Sequence, residues 1–146
     1  MKAVVDTNII VSGIFFGGVP RAMLEAWEEL LRELESGAPR FRPCLSVPLV
    51  LEYESALRRV DELSQEDVEV MLDYLCRVGN LREICFLWRP FLRDPTDEMV
   101  LELGVEAGAD AIVTHNIRDF QGVEEKFGVR VVTPGTFLLE VREGER

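Results

Sequence analysis

Acidic side chains follow several of the segments that the sequence predicts as buried strands. Asp6 comes directly after the first predicted strand, residues 2–5, and Asp97 and Asp119 follow the third and fourth predicted strands. In an open parallel sheet, ligands bind beyond the carboxyl ends of the strands, where the residues that follow each strand meet. We therefore expect Asp6, Asp97 and Asp119 to lie close together, whereas Asp110 precedes its strand and belongs to the opposite edge.

The helical phase of Asp97 predicts that its side chain points towards the sheet. The residues three, four, seven and eight positions further on form the apolar stripe of the helix: Val100, Leu101, Gly104 and Val105. Residues at these spacings share one helix face, so Asp97 lies on the face that packs against the sheet. A different stripe carries Glu98, Glu102 and Glu106, and we expect these glutamates to be solvated.

A further acidic pair lies on the helix predicted after the second strand. Glu52 has Leu49 three residues before it and Ala56 four residues after it, which places Glu52 on or beside the buried face. Glu54 lies four residues before Arg58, a spacing typical of an ordinary surface ion pair. Helical phase alone does not separate the two glutamates.

Four candidate acids, Asp6, Glu52, Asp97 and Asp119, thus converge on one edge of one sheet. Like charges raise one another's pKa and resist ionising together, and a divalent cation removes this cost. Mg²⁺ or Mn²⁺ suits a site built from oxygen donors without histidine or cysteine. Such an ion polarises a phosphoryl oxygen and activates water, so the constellation predicts metal-assisted hydrolysis of phosphodiester bonds.

The composition argues against several other kinds of site. The chain has 146 residues, 27 acidic and 16 basic side chains, and a net charge of −11, which argues against holding nucleic acid by charge alone. Three cysteines without a Cys-x-x-Cys pair argue against common zinc sites, and the single histidine, His115, excludes a two-histidine site. No apolar run approaches the roughly 20 residues of a membrane helix. Because Asp6 comes too early for a signal peptide, we expect a cytoplasmic protein.

The elements that must position these acids alternate between strands and helices. The apolar patterns predict strands over 2–5, 41–45, 83–87, 111–114 and 129–132. They predict helices over 21–36, 46–60, 64–78, 94–107 and 133–141, with a short helix and turn over 117–128. Thr7 and Asn8 are predicted to form a turn, and the apolar residues 9–16 fit either a continued strand or a buried helical turn.

This alternation predicts an α/β protein, a three-layer α/β/α sandwich with a mainly parallel sheet of about five strands. We expect a single domain over residues 1–141 and a frayed tail over 142–146. Phosphoryl-transfer folds of the receiver or haloacid-dehalogenase type also place an aspartate after the first strand. These folds require a lysine near the later acids or after the fifth strand, and the sequence has none at either place.

Ordinary structural roles compete for some of the candidate residues. Asp94, followed by Pro95, is typical of a helix N-cap, and Asp119 fits a cap of the short turn before Gly122. Arg93 directly precedes the acidic loop and is the best single candidate for binding a substrate phosphate. Arginine interleaved with aromatic residues over 89–93 is typical of single-strand binders and equally of a solvated surface.

Six short motifs, in their order and spacing, resemble those of the PIN domain family. They are Val4-Val5-Asp6-Thr7-Asn8, Ser46-Val47-Pro48 with Glu52-Tyr53-Glu54, Arg93-Asp94-Pro95-Thr96-Asp97, the run 109–114, Arg118-Asp119-Phe120 and the run 133–138. The likeness covers nearly the whole chain. It is greatest for the subgroup related to VapC, the toxin component of toxin–antitoxin systems.

The resemblance implies a metal-dependent nuclease, most often a ribonuclease, that uses Mg²⁺ or Mn²⁺. Asp6, Asp97 and Asp119 match metal-binding acids of the family. Glu52 matches the acid on the helix after strand two, so the resemblance favours Glu52 over Glu54 as the fourth catalytic acid. It also implies RNA as the substrate, a small antitoxin as an inhibitory partner, and the formation of homodimers.

The resemblance assigns supporting roles to further polar residues. Asn8 and Thr114 match residues that support the site, and Asp94 matches an additional acid of the subgroup. Asn116 stands where the subgroup usually has an aspartate, and its amide can accept a hydrogen bond but carries no charge. The alternative hypothesis is a PIN-like interaction module that has lost its activity, and Asn116 is the one feature of the sequence that favours it.

Overall fold

The computed structural model describes residues 1–15, 42–61 and 63–143 of the chain. Its strands are β1 (Lys2–Val5), β2 (Arg42–Leu45), β3 (Asn80–Leu81), β4 (Ala111–Val113) and β5 (Arg130–Val132). They form one sheet in the order β3-β2-β1-β4-β5, and every pairing is parallel. The helix predicted over 21–36 lies outside the described residues, as do residues 144–146 of the predicted tail.

Helices follow the strands throughout the described part of the chain. They are α1 (Thr7–Phe15), α2 (Val47–Arg58), α3 (Gln65–Val78), α4 (Pro95–Glu106), a 3-10 helix (Ile117–Phe120), α5 (Val123–Phe127) and α6 (Pro134–Glu143). Local sequence determines several of their starts. The Ser46 hydroxyl accepts a hydrogen bond from the Leu49 amide, and Ser64 and Asp67 form a reciprocal capping box.

Both faces of the central strands are covered. The side chains of Ala3, Val4 and Val5 in β1 and of all three residues of β4 are at most 1% exposed. Successive side chains of a strand point to opposite faces, so full burial along a strand requires packing on both sides. The predicted α/β sandwich around a five-stranded sheet is confirmed. None of the described helices is both long and apolar enough to cross a membrane.

The turn predicted at Thr7 and Asn8 is wrong, because helix α1 begins at Thr7 without an intervening turn. The Ile9 amide donates to the carbonyl of Asp6, so the chain enters its first helical turn directly from the end of β1. Ile9 and Ile10 are buried in the core, which resolves the ambiguity over residues 9–16 in favour of a helix for its described part.

The strand predicted over 83–87 is also wrong. The third strand is the two-residue β3, whose Asn80 and Leu81 pair with Cys44 and Leu45 of β2. Residues 82–94 form no strand or helix and cross from the sheet to α4. Phe86 and Leu87 of the predicted strand are each 58% exposed, so their apolar character does not reflect burial in the sheet.

Candidate active site

Asp6 occupies the carboxyl end of β1 and is 8% exposed. Its amide donates to the carbonyl of Val113 in β4 at 2.9 Å, which extends the sheet pairing to the aspartate itself. The Thr114 hydroxyl donates to Asp6 Oδ2 at 2.9 Å. Burial raises the pKa of Asp6, although the hydrogen bonds from Thr114 and the Thr7 backbone act in the opposite direction.

Thr114 connects two segments at this edge. Its side chain is completely buried directly after β4, and its hydroxyl oxygen accepts the Asn116 amide at 3.0 Å while donating to Asp6. One hydroxyl therefore orients the Asp6 carboxylate and the start of the loop that carries Asp119. The side chains of Asn116 and of Asn8, in the first turn of α1, are both exposed.

Asp97 lies in the first turn of α4 and is 9% exposed, as its helical phase predicts. Burial is the largest cause that raises the pKa of Asp97 to about 7, followed in decreasing order by the carboxylates of Asp6, Asp94 and Asp119. Asp119 likewise contributes to the raised pKa of Asp6. Asp6, Asp97 and Asp119, which follow the first, third and fourth predicted strands, are therefore close enough for their charges to interact.

A cleft of about 570 Å³ opens beside Asp119. Asp119, on the 3-10 helix, lines it together with Arg93 and Arg118, and all three side chains are exposed. Arg93 is thus placed on the same cleft as one of the candidate acids. Glu124 and Glu125 also line the cleft and add negative charge to it.

Asp94 acts as the N-cap of α4. Its Oδ1 accepts hydrogen bonds from the backbone amide and the hydroxyl of Thr96, at 2.9 and 2.8 Å. These bonds lower the pKa of Asp94, in contrast to that of Asp97 three residues later. The structure accounts for Asp94 by this capping role, and the Asp94 charge adds to the field at Asp97.

Glu52 is half-buried on α2 and is not among the main groups that raise the pKa of Asp6 or Asp97. No pattern in the sequence gives its neighbour Tyr53 a role at this edge. Tyr53 is fully buried, and its hydroxyl donates to the carbonyl of Val5, directly before Asp6. Tyr53 therefore ties α2 to the end of β1 and brings Glu52 to this end of the sheet.

The expectation that Glu98 and Glu102 are solvated is wrong. The two side chains are 2% and 1% exposed, because residues 82–94 cover this face of α4. Glu98 accepts hydrogen bonds from backbone amides of that segment, and Glu102 binds Arg89 within it. Glu106, the third member of the predicted stripe, is exposed.

The acidic edge matches Mg²⁺ or Mn²⁺ in donor type, because Asp6, Asp97 and Asp119 supply only oxygen. The raised pKa of Asp97 also marks a place where a bound cation would relieve repulsion between carboxylates. Among the residues that the structure describes, no three His, Cys, Asp or Glu side chains are arranged to hold a metal ion.

The fold and the site define an α/β protein whose acidic groups meet at the carboxyl edge of a parallel sheet. The model of the PIN domain family matches residues 2–118. The chain belongs to the PIN domain family, and this membership places it in a class of nucleases. None of the curated proteins matches the sequence.

Two solved structures share the fold at low sequence identity. VapBC-1 from nontypeable Haemophilus influenzae is 17% identical with a TM-score of 0.56, covering 92% of this chain and 99% of its own. VapBC2 from Rickettsia felis, solved bound to a DNA fragment from its promoter, is 14% identical with a TM-score of 0.60, covering 91% and 98%. The likeness extends over nearly the whole length of all three chains.

Proposed function

We propose that the chain is a metal-dependent endoribonuclease that hydrolyses phosphodiester bonds in RNA. The observation that carries this proposal is the buried pair of Asp6 and Asp97, whose negative charges repel each other at the carboxyl edge of the sheet. Burying carboxylates close together is costly unless a cation or a proton neutralises them. Because the chain belongs to a family of nucleases, phosphodiester hydrolysis is the function that best accounts for two carboxylates buried in this way.

Asp6, Asp97 and Asp119 are the residues proposed to hold Mg²⁺ or Mn²⁺, with Glu52 completing the acidic cluster. The bound ion would polarise a phosphoryl oxygen and activate water for attack on phosphorus. Thr114 would keep the Asp6 carboxylate oriented towards the ion, since its hydroxyl already donates to Asp6 Oδ2. Asn8 and Asn116 would contact substrate or water, since both side chains are exposed and lie two residues after Asp6 and Thr114 in the sequence.

Arg93 is proposed to bind a phosphate of the RNA. Its guanidinium is exposed on the cleft that Asp119 also lines, so a phosphodiester in the cleft would meet both residues. A planar guanidinium binds phosphate with two parallel hydrogen bonds, which orients the substrate as well as attracting it. Glu124 and Glu125 repel a phosphate in the same cleft, so the positive charge of Arg93 contributes more to RNA binding than it would on a basic surface.

The role of the nuclease is proposed to be that of a toxin inhibited by a small antitoxin protein. Support comes from the two similar structures, both of which are VapBC proteins. The three cysteines, Cys44, Cys76 and Cys85, are all unpaired, which supports action in the reducing cytoplasm. A homodimer is part of the same proposal. Expression of the wild-type chain should then arrest growth of the host, and expression of an Asp6→Asn variant should not.

The direct test is cleavage of a mixed pool of single-stranded RNA with Mn²⁺ or Mg²⁺, with and without EDTA. The wild-type protein should cut only with metal, and Asp6→Asn should abolish cutting. Asp73→Asn removes an equal charge from an exposed position on α3 and should leave cutting unchanged. Cutting that survives EDTA or the Asp6→Asn substitution would contradict the proposed mechanism. No cutting under any condition would favour the inactive interaction module.

A further inference from the structure

Residues 82–94 cross from the sheet to α4 without forming a strand or helix, and they end at Arg93 and Asp94 beside the cleft. Apolar burial holds only part of this segment. Trp88 and Phe91 pack edge-on against Phe127 at ring-centroid distances of 5.0 and 5.2 Å, while Phe86 remains more than half exposed. The position of Arg93 therefore depends on other contacts along the segment.

Two buried glutamates of α4 bind the backbone of this segment. Glu98 Oε1 accepts the amides of Phe91 and Leu92 at 2.7 and 2.8 Å. Glu102 Oε2 accepts the Trp88 amide at 2.9 Å, and Glu102 Oε1 accepts Arg89 Nη2 at 2.6 Å. Hydrogen bonds to an ionised acceptor are among the stronger ones in proteins, so these four contacts form a two-point clamp on residues 88–92.

The clamp is specific for one conformation of the segment. A carboxylate buried as deeply as that of Glu98 or Glu102 is costly unless donors surround it. The donors here are mostly main-chain amides, whose positions are fixed by the backbone of the segment. Rotation of a side chain cannot bring such a donor to the carboxylate if the backbone moves away. Moving the segment away from α4 would leave both charges without these partners, so the clamp and the segment stabilise each other's position.

We propose that Glu98 and Glu102 are positioning residues that hold Arg93 at the mouth of the cleft. Leu92, whose amide binds Glu98, directly precedes Arg93, so the clamp fixes the backbone one residue before the guanidinium that faces the cleft. This inference rests on the phosphate-binding role proposed for Arg93. It assigns to Glu98, the immediate neighbour of Asp97, a role in substrate placement that is separate from metal binding.

The first test is a double-mutant cycle on RNA cleavage. Glu98→Ala should lower kcat/KM about tenfold, mostly through a higher KM, because Arg93 is no longer held in place. In an Arg93→Ala background the same substitution should change kcat/KM less than about twofold, since two residues that act through one contact are not additive. Glu98→Gln keeps an acceptor oxygen and should restore most of the loss. Glu106→Ala, an exposed position on the same helix, should have no effect.

The second test is amide hydrogen exchange in the absence of RNA. The amides of Phe91 and Leu92 should exchange at least about tenfold faster in Glu98→Ala, and that of Trp88 in Glu102→Ala, while Glu106→Ala leaves all three unchanged. Unchanged exchange in the glutamate variants would overturn the clamp. If Glu98→Ala lowered kcat/KM equally in the wild-type and Arg93→Ala backgrounds, the proposal that Glu98 acts through Arg93 would be wrong. If the wild-type protein did not cleave RNA, the proposed function would fail, and amide exchange would still decide the clamp.

Discussion

Helix α4 carries buried carboxylates in two different environments, one among other acids and one with hydrogen-bond donors. Asp97 faces the carboxyl edge of the sheet, where its neighbours are other acids and its pKa rises to about 7. Glu98, the next residue, faces the segment 88–92 and receives two backbone amides. Asp97 is buried among like charges, whereas Glu98 is buried with two backbone donors at Oε1 and with an Oε2 that has no hydrogen-bond partner among the described residues, so adjacent carboxylates serve different purposes.

The difference shows how a buried charge can be interpreted. A carboxylate that is buried with donors contributes to the conformation of the chain around it. A carboxylate that is buried among other carboxylates destabilises the fold and marks a candidate functional site.

Asp97→Asn should lower RNA cleavage by a factor on the order of 1000, because it removes a proposed metal ligand and leaves the backbone of α4 unchanged. Single-turnover cleavage at saturating Mn²⁺ measures the effect. Cleavage within a few-fold of the wild type would show that the charge of Asp97 is not part of the catalytic site.

Glu98→Ala should lower the free energy of unfolding by about 3 kcal/mol, because the amides of Phe91 and Leu92 lose a buried acceptor. Urea denaturation of the two proteins measures the difference. Glu106→Ala on the exposed side of the helix should change it by less than about 0.5 kcal/mol. Equal effects of the two substitutions would remove the contrast between Glu98 and a solvated glutamate.

Without metal, Asp97→Asn should be more stable than the wild type at pH 8 by about 2 kcal/mol, with allowance for screening of the repulsion by solvent. The folded-state pKa of Asp97 is raised to about 7 from an ordinary value of 3.8, so the wild type loses stability as the pH rises between these values. The advantage of Asn should therefore disappear near pH 4. Urea denaturation across this pH range, in EDTA, measures it, and an advantage that persists unchanged at pH 4 would contradict the electrostatic cause.

Thr114→Val should cost about 1 kcal/mol of stability, because it removes one hydrogen bond to Asp6 Oδ2 and one acceptor for the Asn116 amide. RNA cleavage should fall about tenfold, since the Asp6 carboxylate is no longer oriented. Thr133→Val, in the loop before α6, is the matched control and should leave cleavage unchanged. A Thr114 variant with normal cleavage would show that orientation of Asp6 does not limit the reaction.

Much of the fold could be predicted because its signals are local. Residues 3–5 of β1 and all of β4 are buried and apolar, and Ser64 and Asp94 begin helices through hydrogen bonds within one turn. The third strand could not be predicted from its own residues. It consists of only two residues, which pair with β2, and the more apolar run 83–87 that follows lies outside the sheet. Pairing with a distant neighbour, not hydrophobicity, decides where that strand lies.

The candidate site divides in a similar way. The positions of Asp6 and Asp97 follow from strand ends and helical phase, and the structure places both at the carboxyl edge. Tyr53 could not be recognised in advance, because its buried hydroxyl meets a carbonyl 48 residues away in the sequence. Helical phase wrongly predicts that Glu98 and Glu102 are solvated, because it identifies a stripe without revealing what covers it.

The sequence by itself determined the α/β architecture and the edge of the sheet at which Asp6 and Asp97 lie. These properties depend on periodicity and chain order, which are fixed by neighbouring residues. Only the tertiary structure decided which buried carboxylates receive hydrogen-bond donors and which face one another. That distinction depends on where the segment 82–94 crosses α4, and the donors it brings come from backbone amides that every residue except proline possesses.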